Sequence, residues 1–84
     1  MKYLVTEIQT GFDGQVANLT SVFDDRLQAE STYHSILASA AISQLMLHAC
    51  MLYTNDGYLI MNANYTHEQP SPEPSPEPEP NEGE

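Results

Sequence analysis

The chain has 84 residues, two basic and twelve acidic side chains, a formal charge of −10, one cysteine and no tryptophan. A chain this short holds one small hydrophobic core, which excludes a large enzyme. Its two basic residues exclude the Lys/Arg grip on a phosphate backbone that nucleic-acid binding uses. The charge divides unevenly, because Gln69–Glu84 holds all six prolines and five of the acids. Residues 1–68 keep seven acids and two bases, a charge of −5, and form the expected domain.

The first predicted element is a β-hairpin turning at Asp13-Gly14, a dipeptide that tolerates the positive φ angles of a two-residue type I′ loop. A two-residue loop sets Phe12 opposite Gln15, Ile8 opposite Leu19, Thr6 opposite Ser21 and Leu4 opposite Phe23. Leu4, Thr6, Ile8, Ala17, Leu19, Ser21 and Phe23 then share an oily face. Tyr3, Val5, Glu7, Gln9, Val16, Asn18, Thr20 and Val22 take the other.

A helix follows, expected from about Asp25 to Ser43, with Asp24 or Asp25 as its N-cap and Glu30 placed near its positive end. Ala29, Tyr33, Ile36, Leu37, Ala40 and Ala41 recur at helical spacing and form one apolar stripe, with Ser31, Ser35 and Ser39 on a polar side.

The second hairpin turns at Asp56-Gly57. Its expected pairs are Leu52 with Met61, Cys50 with Ala63 and Thr54 with Leu59, on a face shared by His48 and Tyr65. Ala49, Met51, Tyr53, Tyr58, Ile60, Asn62 and Asn64 fall on the opposite face. The fold class is therefore α+β: a ββαββ chain with a four-stranded antiparallel sheet and one helix on one face.

The tail, residues 69–84, repeats Pro-Ser-Pro-Glu and then Glu-Pro. Proline gives no amide donor and nothing in the segment is apolar enough to bury. The composition predicts a disordered, polyproline-like acidic tail serving as a solubilising spacer, with a Pro-rich ligand for a partner groove as the alternative.

Met1-Lys2-Tyr3-Leu4-Val5-Thr6-Glu7 has no apolar signal region, no stretch reaches membrane-span length, and Cys50 has no intrachain disulfide partner. These features predict a cytoplasmic protein with no membrane role.

His48 and Cys50 lie two apart on one strand and point the same way, the proximity a Cys–His nucleophile or half a zinc site requires. Their neighbours Leu52, Met61 and Ala63 make Cys50 a small core residue instead. Asp24, Asp25 and Glu30 at a helix start are explained by capping and the helix dipole rather than by paired-carboxylate catalysis. Gly11, Gly14 and Gly57 belong to turns, so no phosphate loop exists. No catalytic residue, metal ligand set or cofactor is expected.

One helix covers one face of a sheet, which leaves the other needing a cover. Tyr3, Val5, Val16, Val22, Met51, Tyr53, Tyr58 and Ile60 are expected to form an apolar patch there. The candidate binding surface is Tyr3, Val5, Met51, Tyr53, Tyr58, Ile60, Asn62 and Asn64. Its expected occupants are a second copy of the chain in a homo-oligomer, joined through this face or by edge-strand pairing, a protein partner, or a small ligand between subunits.

Tyr3-Leu4-Val5-Thr6-Glu7-Ile8-Gln9-Thr10, Ala29-Glu30, Tyr33-His34, Ile36-Leu37-Ala38, Ala40-Ala41, His48-Ala49 and Asp56-Gly57-Tyr58 resemble small proteins of bacteriophages and gut-bacterial prophages. The likeness spans most of residues 1–66 and omits the tail. It brings no activity and no functional residue. What it implies is a setting: short phage accessory proteins that inhibit a host factor, including defence enzymes or their nucleotide signals. The resulting expectation is a non-catalytic binding protein acting on a host protein in the bacterial cytoplasm. The alternatives are an oligomeric sponge for a nucleotide signal and an acidic nucleic-acid mimic.

Overall fold

The computed structural model describes residues 1–69, so the expectation of a disordered acidic tail over 69–84 lies outside the described residues except at Gln69. The element order is β1 (Tyr3–Thr10), β2 (Val16–Phe23), α1 (Arg26–Ala40), β3 (Leu47–Thr54) and β4 (Leu59–Thr66). All neighbouring strands are antiparallel and the sheet order is β2-β1-β3-β4, with α1 packed on one face. The ββαββ reading is the fold.

Its first register is not. β1 and β2 pair Tyr3 with Phe23, Val5 with Ser21, Glu7 with Leu19 and Thr10 with Val16, one residue away from the expected alignment. The loop causes the shift. Gly11 N–H donates to the Gln15 carbonyl at 2.9 Å, and Gly14 N–H donates to the Gly11 carbonyl at 3.0 Å. Gly14 holds φ at +85°, so the turn spans Gly11–Gly14 and closes on a left-handed glycine. This is the three-residue loop with a glycine bulge, not the two-residue loop. One extra loop residue moves the pairing by one and exchanges the faces of the two strands relative to each other.

The β3–β4 turn is built the same way. Thr54 N–H donates to the Tyr58 carbonyl and Gly57 N–H to the Thr54 carbonyl, both at 2.9 Å, with Gly57 at φ +92°. Next to the turn Tyr53 pairs with Leu59, which corrects the expected Thr54–Leu59 pair. A bulge between Leu52 and Tyr53 then absorbs one residue of β4, Ile60, and restores Leu52–Met61 and Cys50–Ala63 as expected. Leu52 thereby faces both Ile60 and Met61, and both pack against the core.

The helix starts at Asp25, whose extended backbone (φ −115°, ψ 127°) and carboxylate cap the Gln28 N–H at 3.2 Å. Arg26 Nε donates to Glu30 one turn later at 2.8 Å. The helix ends at Ala40, with Ala41 N–H giving the last helical bond to the Leu37 carbonyl, and Ile42 and Ser43 close with shorter-range bonds to the Ser39 and Ala40 carbonyls, so the helix stops before the expected Ser43. The His67 ring meets the Ala40 carbonyl at 2.9 Å and ties the end of β4 to the helix terminus.

The core lies between α1 and the central strands: Val5, Cys50 and Leu52 from the sheet meet Ala29 and Tyr33 from the helix. Tyr3, Phe23, Ile36, Leu37, Ile60 and Met61 close around them. Of the expected stripe only Ala41 is exposed.

Candidate functional site

The open sheet face is built from the residues that alternate with the core. From the register, Leu4, Thr6 and Ile8 of β1 share it with Val16, Asn18, Thr20 and Val22 of β2. Met51 and Tyr53 of β3 and Leu59, Asn62 and Asn64 of β4 complete it. A line of hydroxyls crosses three strands on this face: Thr6 Oγ1 lies 2.9 Å from Thr20 Oγ1 and 2.7 Å from the Tyr53 hydroxyl. Those bonds explain how Thr6 is buried on a face that no element covers. Beside them, Met51, Tyr53, Gly57 and Leu59 line a shallow apolar depression of about 280 Å³.

Four of the eight expected surface residues belong to this face: Met51, Tyr53, Asn62 and Asn64. The other four do not. Val5 is 1 % exposed and sits at the centre of the core, and Tyr3 packs against the same core. The shifted β1–β2 register is no accident of side chains; β1 as a whole presents its odd-numbered residues to the helix, because Val5 pairs with Leu52 and Glu7 with Cys50. Ile60 is turned inward by the bulge. Tyr58 is strongly exposed, but alternation from Leu59 puts it on the other side from Tyr53. In exchange the face gains Leu4, Ile8 and Leu59, which the two-residue loops had placed inside.

The same exchange assembles a polar group beneath the helix side. Glu7 stands opposite Cys50 and its Oε2 meets His48 Nε2, while Gln9 Nε2 donates to that oxygen at 2.9 Å. Burial works to raise the Glu7 carboxyl pKa, but the bonds from Gln9 and His48 and the attraction of His48 together hold it below its usual value. His48 Nδ1 is buried without a partner. Cys50 is fully buried, and burial, aided by the Glu7 charge, pushes its thiol pKa up to about 11. A thiol in that setting stays protonated at neutral pH. Sequence reasoning paired His48 with Cys50 and missed Glu7, since the wrong register had turned it away.

The charged residues have local partners. Lys2 bonds Asp24, Arg26 bonds Glu30, Asp25 caps the helix, Asp13 accepts the Gln15 N–H and Asp56 accepts from Thr54. With Glu7 beside His48, six of the seven acids among residues 1–68 serve neighbouring groups, Glu68 being the seventh. Among the described residues no group of three or more His, Cys, Asp and Glu is placed to hold a metal ion, and no helix is long and apolar enough to cross a membrane. Compared with known proteins, the chain matches no family model, no curated protein and no solved structure.

Proposed function

We propose that this protein acts by non-catalytic binding and that the open sheet face is its contact surface. The observation that carries the reading is the half of the sheet left without a helix. Leu4, Ile8, Met51 and Tyr53 are only half-buried there, and Leu59, Val16 and Val22 are exposed. An apolar strip framed by Thr20, Asn62 and Asn64 has the make-up of a protein contact, with an oily centre and a polar rim. The likeness to phage accessory proteins supplies the partner's class: a host protein that this chain blocks or sequesters in the bacterial cytoplasm. A free buried thiol suits that reducing compartment.

The nucleotide-sponge and nucleic-acid-mimic readings have less support. Lys2 and Arg26 are already engaged by carboxylates, and six of the seven acids among residues 1–68 accept local bonds.

Affinity capture from bacterial lysate, with the full chain as bait, tests the proposal. One specific protein is expected to be retained, and Tyr53→Ala combined with Leu59→Ala is expected to release it. Retention by the double variant moves the surface elsewhere. Co-purified nucleotide absorbance with no retained protein overturns the reading in favour of the sponge.

A further inference from the structure

β2 is an edge strand that nothing protects. It runs Val16-Ala17-Asn18-Leu19-Thr20-Ser21-Val22-Phe23 with no charge and no proline, although the domain around it is acidic. Natural edges of this length are usually guarded by lysine, proline or a bulge. Its large apolar side chains are exposed on both faces: Val16 63 % and Val22 61 % on the open face, Leu19 56 % on the helix side. The helix does not reach it there. A partner docked on one face of the sheet leaves the other side of β2 exposed, whereas an added strand continues both faces at once.

We infer that β2 pairs antiparallel with β2 of a second copy, about a two-fold axis through Leu19, to make one continuous eight-stranded sheet. Two independent features of the strand point to that occupant. The first is spacing. Val16 and Val22 stand three residues either side of Leu19, so this axis sets each Val16 opposite the other copy's Val22 and Leu19 opposite itself. Every exposed large side chain of the strand gains an apolar neighbour, and Asn18 meets Thr20 of the second copy. An interface whose patch is its own complement is what a two-fold dimer requires.

The second feature is the hydrogen-bond ladder. The Gly11–Gln15 closing bond makes Gln9–Ala17, Glu7–Leu19 and Val5–Ser21 the bonded pairs of β1 and β2. The N–H and C=O groups of Val16, Asn18, Thr20 and Val22 therefore point away from β1, toward the free edge. The axis through Leu19 pairs these four with one another, so every outward group finds a partner. A shift by one residue pairs outward groups with inward ones and fails. Asp13, Asp24 and Asp25 lie beyond the strand ends, but the same register brings Asp13 of one copy toward Asp24 and Asp25 of the other, so charge opposes the pairing at both ends and the dimer is expected to tighten with added salt. The two helices sit over the central strands of their own copies and stay apart, and both open faces lie on one side of the joined sheet.

The test uses the full chain. Sedimentation or light scattering is expected to give twice the chain mass, and Leu19→Cys is expected to cross-link to itself on mild oxidation. Directly opposed Cα atoms at a non-bonded pair are about 4.5 Å apart, within disulfide range. Asn18→Cys is expected not to cross-link, since residue 18 of one copy faces residue 20 of the other. Cys50 does not interfere, being buried with its thiol protonated. Asn18→Pro removes one outward donor without touching the β1–β2 ladder, and is expected to give a monomer with an unchanged circular dichroism spectrum. A wild-type monomer at every concentration overturns the proposal. So does a dimer in which Leu19→Cys stays uncross-linked, which places the contact on β4 or on the open face.

Discussion

Glu7 on β1 and His48 on β3 meet side chain to side chain across the two central strands, on the face the helix covers. Sequence places them forty-one residues apart. The carboxylate accepts from the imidazole and from Gln9, and that pair of donors outweighs the cost of partial burial. The other ring nitrogen of His48, Nδ1, is buried with no hydrogen-bond partner.

The pH dependence of stability follows from this contact. The folded-state pKa of Glu7 lies below its ordinary 4.5, so its contribution is full above that value and is lost as pH falls through the folded pKa. Glu7→Gln is expected to lower stability by about 1.5–3 kcal/mol at neutral pH, the worth of a hydrogen bond to a charged group. In strongly acidic buffer the two proteins are expected to converge. Urea unfolding of both across the acid range checks this; an unchanged gap at the acid end contradicts it.

The face assignment of β1 predicts opposite costs for neighbouring residues. Leu52→Ala, and Val5→Ala to a lesser extent, remove fully buried side chains and are expected to cost about 2–5 kcal/mol and about 1–2.5 kcal/mol. Leu4→Ala, next to Val5 but on the open face, is expected to cost clearly less than Val5→Ala despite losing more atoms. Midpoints in urea rank them; a larger loss for Leu4 returns β1 to the two-residue-loop register.

Gly14 and Gly57 meet no atom that an added methyl group would strike, so their demand is purely conformational. With φ at +85° and +92°, alanine at either position is expected to destabilise by about 1–2 kcal/mol. Asparagine is expected to cost less, because it tolerates the left-handed region. Equal losses for alanine and asparagine in thermal melts would place the cost elsewhere.

Cys50 is expected to resist thiol reagents at neutral pH in the folded protein and to react at once in denaturant. Cys50→Ser is expected to cost about 1–3 kcal/mol more than Cys50→Ala, because it leaves a hydroxyl in the apolar core. Labelling followed by mass spectrometry, and paired unfolding curves, measure the two effects.

The element types, their order and the helix stripe were all legible in the sequence, since alternation and helical spacing survive whatever the loops do. Asp-Gly marked both turns correctly but did not reveal how many residues each turn uses. The bonds that decide it run from Gly11 and Thr54 backbone groups, and no side-chain pattern announces them. In the second hairpin a later bulge at Ile60 cancelled the offset, so Leu52, Cys50 and His48 were faced correctly. The first hairpin has no such correction. Tyr3 and Val5 were therefore assigned to the surface, and Glu7 was turned away from His48. Met51, Tyr53, Asn62 and Asn64 were readable as surface because they lie on the hairpin where two errors compensate.

The strand order β2-β1-β3-β4 carries a consequence for assembly of the chain itself. Of the four strands described, β1 is made first yet ends flanked on both sides, and its second neighbour, β3, begins only at Leu47. During synthesis the β1–β2 hairpin and then the helix must emerge before Thr10 can meet Leu47. Until then one long edge of β1 and the underside of Val5 have no neighbour. Closing that distant pair is the slow, entropically costly step for a topology of this kind. The nascent hairpin is thus the point at which this small protein is most exposed to wrong strand partners, its own copies included.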